Sequence, residues 1–344
     1  MTFEFRWATS SSVLLLLTLG VVHADSSKLL KNNEFTDPYA VANVADDFAS
    51  RPIQYDKKVG DVDVVISLGQ QTYPALHKIV ADIAKQQNIT VDIQQGSCGS
   101  TAKKLLKKSA DIATYCCPPG VSDRLPGLEF HTVAISPIAL TTNAVNPLNN
   151  VSTVDARKIF KGDYVSWSEV PGIDDENKFT GKKIQPVARM HCKKRPGHWR
   201  ALLDNQDEFS PRVKSVGTIS DMIKQVSDTQ TAIGYETPYM LKVNKDKGKV
   251  KVLSIDGNHP NNLEKLVKAE YPLYRTYSMT TWTGENNKNE KAIKLLEALS
   301  DYIENNAQQY TFIPASKLRL AGWKFKNNEL IGEPNGSPVI SEHD

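Results

Sequence analysis

The sequence predicts a two-lobed α/β protein, each lobe a mixed sheet flanked by helices, with two chain crossings forming a hinge. Three observations point there. From residue 62 onward, short apolar runs alternate with segments of helical period, and βαβ order of this kind builds parallel sheets covered by helices. The 344 residues, less an N-terminal targeting segment, leave about 320, more than one core comfortably serves. An amphipathic segment near the C-terminus, 289–305, carries Ala292, Ile293, Leu295, Leu296, Leu299 and Ile303 on one stripe. Such a stripe fits the first lobe, which makes that lobe split in sequence.

In order along the chain, 62–68 reads as a buried strand, and 73–86 as a helix with Leu76, Ile79, Val80 and Ile83 inward. Residues 91–93 read as the next strand, 101–108 as a short basic helix, 111–114 as a strand and 128–140 as one or two more. Asn146-Pro147 is a natural crossover. Beyond it Thr153 is placed to cap a helix over 153–160 by accepting from its first-turn amides. Residues 184–188, the helices 199–203 and 219–226, and the strand 232–235 complete a second α/β unit, and 271–275 returns the chain. The expected organisation is a signal segment at 1–24, an extended leader at 25–60, lobe 1 from 61–144 and 272–325, lobe 2 from 145–271, and a tail at 326–344. Trp167 is expected in the core, and Trp282 and Trp323 over the terminal helix.

Arg6, the apolar run 13–22 and Val22-His23-Ala24 have the charged, apolar and small-residue parts of a secretory signal cleaved after Ala24. The run is shorter than the ~20 residues of a spanning helix, so a retained anchor is the second choice. A periplasmic, soluble and monomeric protein is expected, with its thiols facing an oxidising compartment. Basic and acidic residues number 42 and 39 and are intermixed, giving a net charge of +3 and no basic face, which excludes nucleic acid as a partner. Lys103-Lys104 and Lys107-Lys108 read as the solvated side of a helix.

The four cysteines, Cys98, Cys116, Cys117 and Cys192, stand in Gly- or Pro-bearing segments that follow apolar runs, where an open α/β sheet gathers its ligand loops. Cys98 paired with Cys116 or Cys117 would staple adjacent turns of one lobe, whereas a bond to Cys192 would cross the lobes and freeze the hinge. Cys116 and Cys117 could instead pair vicinally.

Several segments in sequence resemble the periplasmic phosphate-binding proteins of ABC importers, which have the type 2 periplasmic binding fold. They are Gly69-Gln70-Gln71-Thr72-Tyr73-Pro74-Ala75, Gln95-Gly96-Ser97-Cys98-Gly99-Ser100, Ser109-Ala110-Asp111-Ile112-Ala113, Asn146-Pro147 followed by Ile159-Phe160-Lys161-Gly162 and Trp167-Ser168-Glu169-Val170, then Ala232-Ile233-Gly234-Tyr235 and Tyr271-Pro272-Leu273-Tyr274-Arg275. The resemblance covers roughly residues 62–325. It implies capture of a phosphate-like oxyanion between the lobes by hinge closure, without chemistry or a cofactor, and delivery to a membrane permease. In that family hydroxyls and amides of the first two loops, an acidic acceptor of the third, and an arginine plus a Ser-Gly-Thr turn hold the anion. By position Thr72, Tyr73, Ser97 and Arg189 keep the expected types, whereas Tyr115-Cys116-Cys117 replaces the acidic acceptor and Met190-His191-Cys192 follows the arginine. Loss of that acceptor is expected to weaken selection for a protonated phosphate.

The residues expected to line the cleft are Thr72, Tyr73, Ser97, Cys98, Ser100, Thr101, Cys116, Cys117, Arg189, His191 and Cys192. Hydroxyls and amides at helix starts, opposite a guanidinium, suit a tetrahedral oxyanion. Lys193, Lys194 and Arg195 would add to that field or form a solvated basic turn. The alternative is a scavenging or sensor protein that binds a soft metal (copper, zinc) or haem through Cys98, Cys116, Cys117, Cys192, His191 and His198, although no Cys-x-x-Cys spacing is present. The weakest reading is a thiol enzyme built on Cys192 with His191 or His198.

Overall fold

Strands form where β-branched and small apolar residues run without polar interruption, and the first of these, Val64–Gly69, is buried along its whole length. The computed structural model describes residues 35–173, 179, 181–190, 202–203, 207–284 and 286–336. The signal segment, residues 25–34 of the leader, all of residues 191–201, with most of the helix expected at 199–203, and the end of the tail lie outside the described residues.

In chain order the described elements are β1 (Val64–Gly69), α1 (Tyr73–Gln86), β2 (Val91–Gly96), α2 (Cys98–Leu106), β3 (Ile112–Tyr115), β4 (Leu128–Pro137), β5 (Ala139–Asn143), β6 (Asn150–Val151), α3 (Thr153–Lys161), β7 (Gln185–Ala188) and β8 (Lys214–Ser215). They continue as α4 (Ile219–Asp228), β9 (Ala232–Glu236), α5 (Pro238–Val243), β10 (Val250–Val252), β11 (Ser254–Ile255), α6 (Leu263–Val267), β12 (Tyr274–Trp282), α7 (Glu290–Asn306), β13 (Ile313–Pro314), α8 (Ala315–Leu320), β14 (Lys324–Lys326) and β15 (Glu329–Gly332). The six-stranded sheet has the order β13-β4-β12-β3-β1-β2 and the five-stranded sheet β10-β5-β9-β7-β8, and two small sheets pair β11 with β6 and β14 with β15. The mixed α/β, two-sheet architecture is the one the alternation of apolar runs demands.

The chain leaves the first sheet at Pro137 and re-enters it at Tyr274. At these two crossings the Ile138 amide donates to the Leu273 carbonyl at 2.8 Å, and the Tyr271 hydroxyl donates to the Ile138 carbonyl at 2.8 Å. The lobes are thus joined by two adjacent, mutually bonded segments, the arrangement of a hinge. Helix α7 seats Leu295, Leu296, Leu299 and Ile303 in the same core as Leu76 and Val80 of α1, so the C-terminal stripe packs on the first lobe.

Several local readings are corrected. Ser152, not Thr153, caps α3: its hydroxyl accepts from the Asp155 amide, and the Thr153 hydroxyl donates to Asp256 instead. Helix α2 begins at Cys98 because Ser97 and Ser100 form a capping box three residues earlier than the helical period alone suggests. Trp282 does not cover the terminal helix; it packs with Phe48, Leu105 and Ala113 and donates to the Ala110 carbonyl at 3.0 Å. Trp323 packs edge-on to Tyr274 and donates to the Val267 carbonyl. Trp167 is fully buried in the second core, as its apolar setting requires.

Lys108 is not on a solvated face. Only 3% exposed, it places Nζ 4.9 Å from the Phe48 ring and 5.1 Å from that of Trp282, and donates to the carbonyls of Ala49 and Arg51 at 3.2 and 2.6 Å. Burial holds its ammonium below the usual lysine range. The described part of the leader, 35–60, is therefore part of the body, because Phe48 packs against Trp282 and Lys108 clasps the leader's backbone. Phe48→Ala should lower unfolding free energy by about 3 kcal/mol in urea denaturation, the cost of emptying a buried aromatic site. A change below 0.5 kcal/mol would mean that the leader merely rests on the surface.

Candidate functional site

Parallel strands in register deliver their following loops to one edge. Gly69 of β1 lies opposite Gly96 of β2, and β3 flanks β1 on its other side with Ile66 opposite Ile112. The loops after β1, β2 and β3 therefore leave side by side at the carboxyl ends of the strands, where open α/β sheets bind ligands.

In the first loop the Gly69 amide donates to Thr114 Oγ1 at 2.8 Å. The Thr72 hydroxyl meets Thr114 Oγ1 at 2.7 Å and the Gly69 carbonyl at 3.1 Å. Thr72 is thus buried and braces the loop. Tyr73 opens α1, and its ring stacks on His77 with centroids 4.7 Å apart. In the second loop the Ser97 hydroxyl accepts from the Ser100 amide at 3.2 Å, and the Ser97 amide donates to Ser100 Oγ at 2.7 Å. Thr101 turns inward, with its hydroxyl 3.3 Å from Ser67 Oγ. A Cβ at position 96 would lie 2.8 Å from both Ser100 Oγ and Thr101 Oγ1, so a larger residue there would have to displace the hydroxyls that cap and seat α2.

The second and third loops meet through sulfur. Cys98 Sγ stands 3.3 Å from Cys116 Sγ, a thiol contact rather than the ~2.05 Å of a disulfide. Cys117 is buried, and its contacts with the Cys116 and Cys98 thiols, together with burial, push its own thiol well above the usual range. All three are thiols in the structure, so neither the staple nor the vicinal pairing expected from sequence is formed. Among the described residues, no three His, Cys, Asp or Glu side chains are arranged to hold a metal ion. His191, Cys192 and His198 lie outside the described residues, as does the basic turn 193–195.

The second lobe repeats the geometry. Strands β7 and β9 are parallel with Gln185 opposite Ala232; Arg189 follows β7 and Glu236 ends β9. Arg189 Nη1 donates to Glu236 Oε2 at 2.7 Å, with the two side chains 2% and 0% exposed. Glu236 Oε1 accepts from the Thr237 amide at 3.0 Å and, across the lobes, from Gln71 Nε2 of the first loop at 2.6 Å. Arg275 of β12 is also buried and adds its charge to this carboxylate. Burial alone would raise the Glu236 carboxyl, but the guanidiniums of Arg189 and Arg275, the Gln71 amide and the Thr237 amide together outweigh it and hold the group below the usual carboxylate range.

The structure therefore brings Arg189 to the first loop through Glu236 and Gln71, places Ser97, Ser100, Cys98 and Cys116 at the neighbouring loops, and seats Thr72 and Thr101 as internal braces. Sequence reasoning missed Gln71, Glu236 and Arg275. The available signal was a carboxylate ending the buried strand Ala232-Ile233-Gly234-Tyr235, where an unpaired charge could not stay. A cavity of about 400 Å³ between α7, α8 and β4 is lined by none of these residues.

Residues 49–306 match the family model described as the PBP superfamily domain. The chain is 28% identical over 117 residues to phosphate-binding protein PstS 2 of Streptococcus agalactiae, in its serotype V and serotype III strains alike; the match spans 34% of this chain and only 40% of each relative's length. It is similar in structure to an ABC-type phosphate transport receptor from Vibrio cholerae, with a TM-score of 0.57 and 19% identity over 73% of this chain and 99% of that one. A Clostridium perfringens protein solved with phosphate bound is similar with a TM-score of 0.59 and 19% identity, covering 73% of this chain and 99% of that one. These structural likenesses establish the fold.

A depressed carboxyl contributes stability above its unfolded value, near 4.3, and that contribution is lost as pH falls through the folded value. Glu236→Gln should cost about 3 kcal/mol at pH 7 by leaving buried guanidinium without its carboxylate. It should also flatten the acid limb of the stability profile measured by denaturation between about pH 3 and pH 6. An unchanged acid limb would place the titrating group elsewhere.

Proposed function

The chain belongs to the PBP superfamily, and from that premise we propose that it is an exported receptor that captures a phosphate-like oxyanion between its lobes and hands it to a membrane permease, without catalysing a reaction. The observation that carries this reading is the meeting of the two sheet edges at Gln71, Glu236 and Arg189, beside the loops that open α1 and α2. A buried guanidinium can grip two oxygens of a tetrahedral anion, and first-turn amides can bind others. The phosphate named for the Streptococcus agalactiae relatives and bound in the Clostridium perfringens structure supports the same ligand class.

The two adjacent hinge crossings support capture by closure, since a rotation about them would part Gln71 from Glu236. Among the described residues no helix is long and apolar enough to cross a membrane. The signal-like N-terminus favours export. Calorimetric titration with inorganic phosphate tests the receptor: binding to wild type should weaken about 10- to 100-fold in Arg189→Ala, the worth of a charged hydrogen bond. Equal binding by the two proteins would remove Arg189 from the site, and no binding by wild type would overturn the reading.

A further inference from the structure

Three sulfurs lie together where the second and third loops meet, and the capture of an anion uses none of them. Cys98 is the first residue of α2, just past the Ser97–Ser100 capping box, and Cys116 is the first residue after β3. Their Sγ atoms are 3.3 Å apart, about 1 Å beyond the ~2.05 Å of a bond. Cys116 lies past the last ladder partner of β3, Tyr115 opposite Ser278, so a turn of its side chain costs no strand pairing. The sulfurs differ in access. Cys98 is half-buried and meets reagents from solvent, whereas Cys116 and Cys117 are 4% and 1% exposed.

We propose that Cys98 and Cys116 form a reversible dithiol–disulfide site, oxidised by thiol–disulfide exchange with an organic disulfide, R–S–S–R. In the first step Cys98 gives its proton to water and its sulfur attacks one sulfur of the reagent; the S–S bond breaks, and R–S⁻ leaves and takes up a proton. In the second, Cys116 gives up its proton and attacks Cys98 Sγ in the mixed disulfide, expelling the other R–S⁻. Two cysteine sulfurs lose two electrons, and the reagent gains them as two thiols. The second step puts negative charge on a buried sulfur, which is the main obstacle to it. Arg275, buried in β12, interacts electrostatically with Cys116, so that charge is answered where it forms. Cys117 touches both sulfurs but keeps its proton, because its contacts with the Cys116 and Cys98 thiols, together with burial, hold its own thiol well above the usual range. It is the bystander of the three. Both exchanging sulfurs belong to the first lobe, so the bond ties the second loop to the third and leaves the hinge crossings untouched.

Mass spectrometry of the reduced full chain, incubated with glutathione disulfide and then unfolded and alkylated, tests the site. Of the four cysteines, two should escape alkylation, and they should be recovered as one cross-link between Cys98 and Cys116, with fragmentation telling Cys116 from Cys117. Dithiothreitol should return both thiols. Cys117→Ser should close the same bond. Cys116→Ser, checked for folding by circular dichroism, should stop at a glutathione adduct on Cys98. Four alkylated cysteines, any other pairing, or a glutathione adduct left standing on wild-type Cys98 overturns the assignment, as does a Cys116→Ser protein that closes a bond to Cys117. The wild-type peptide map decides the matter alone where neither variant folds. None of these outcomes bears on the anion receptor, which calorimetry with phosphate tests separately.

Discussion

A carboxylate with no exposed surface has to be answered by donors, and Glu236 is answered from both lobes. Its two oxygens take a guanidinium N–H, a backbone N–H and a carboxamide N–H, and a second guanidinium lies within its field. Because desolvation of a lone charge costs several kcal/mol, these partners must arrive together or the junction does not close. The sheet registers exist, from this point of view, to deliver them: β1 brings Gln71, β7 brings Arg189, β9 ends in Glu236, and β12 carries Arg275 between the lobes. Two bonded crossings at Ile138 and Leu273 join the lobes that supply these partners.

Much of this was legible in the residues, and where it was not the reason is physical. Helix α1 falls at Tyr73–Gln86 as its apolar spacing predicts, because Leu76 and Val80 repeat at a turn's distance and both are buried. The two-sheet α/β class followed from the alternation of strand and helix signals, which is a local property. Capping was harder to read: Ser152 and Thr153 are adjacent and both suit an N-cap, and only the packing of Asp256 against Thr153 decides between them. Lys108 read as solvated because its partners, Phe48 and Trp282, lie 60 and 174 positions away. The Gln71–Glu236 contact spans 165 positions, and nothing in the local pattern of either residue announces the other.

The thiols show how a sequence can be right about proximity and wrong about bonding. Cys98 and Cys116 follow β2 and β3, the two strands that flank β1, and their sulfurs meet across the end of β1. They meet as thiols in an interior that also contains Cys117. Thr72 braces the turn internally, and its neighbour reaches across to the second lobe.

The central claim is that residues of two lobes act on one anion. A double-mutant cycle on phosphate affinity tests it most directly, using Gln71→Leu, Arg189→Ala and the double variant in calorimetry. Because the two side chains touch through Glu236, the account predicts a coupling of about 0.5–3 kcal/mol between them. Losses that add to within about 0.3 kcal/mol would contradict it, for they would mean that the two lobes bind independently.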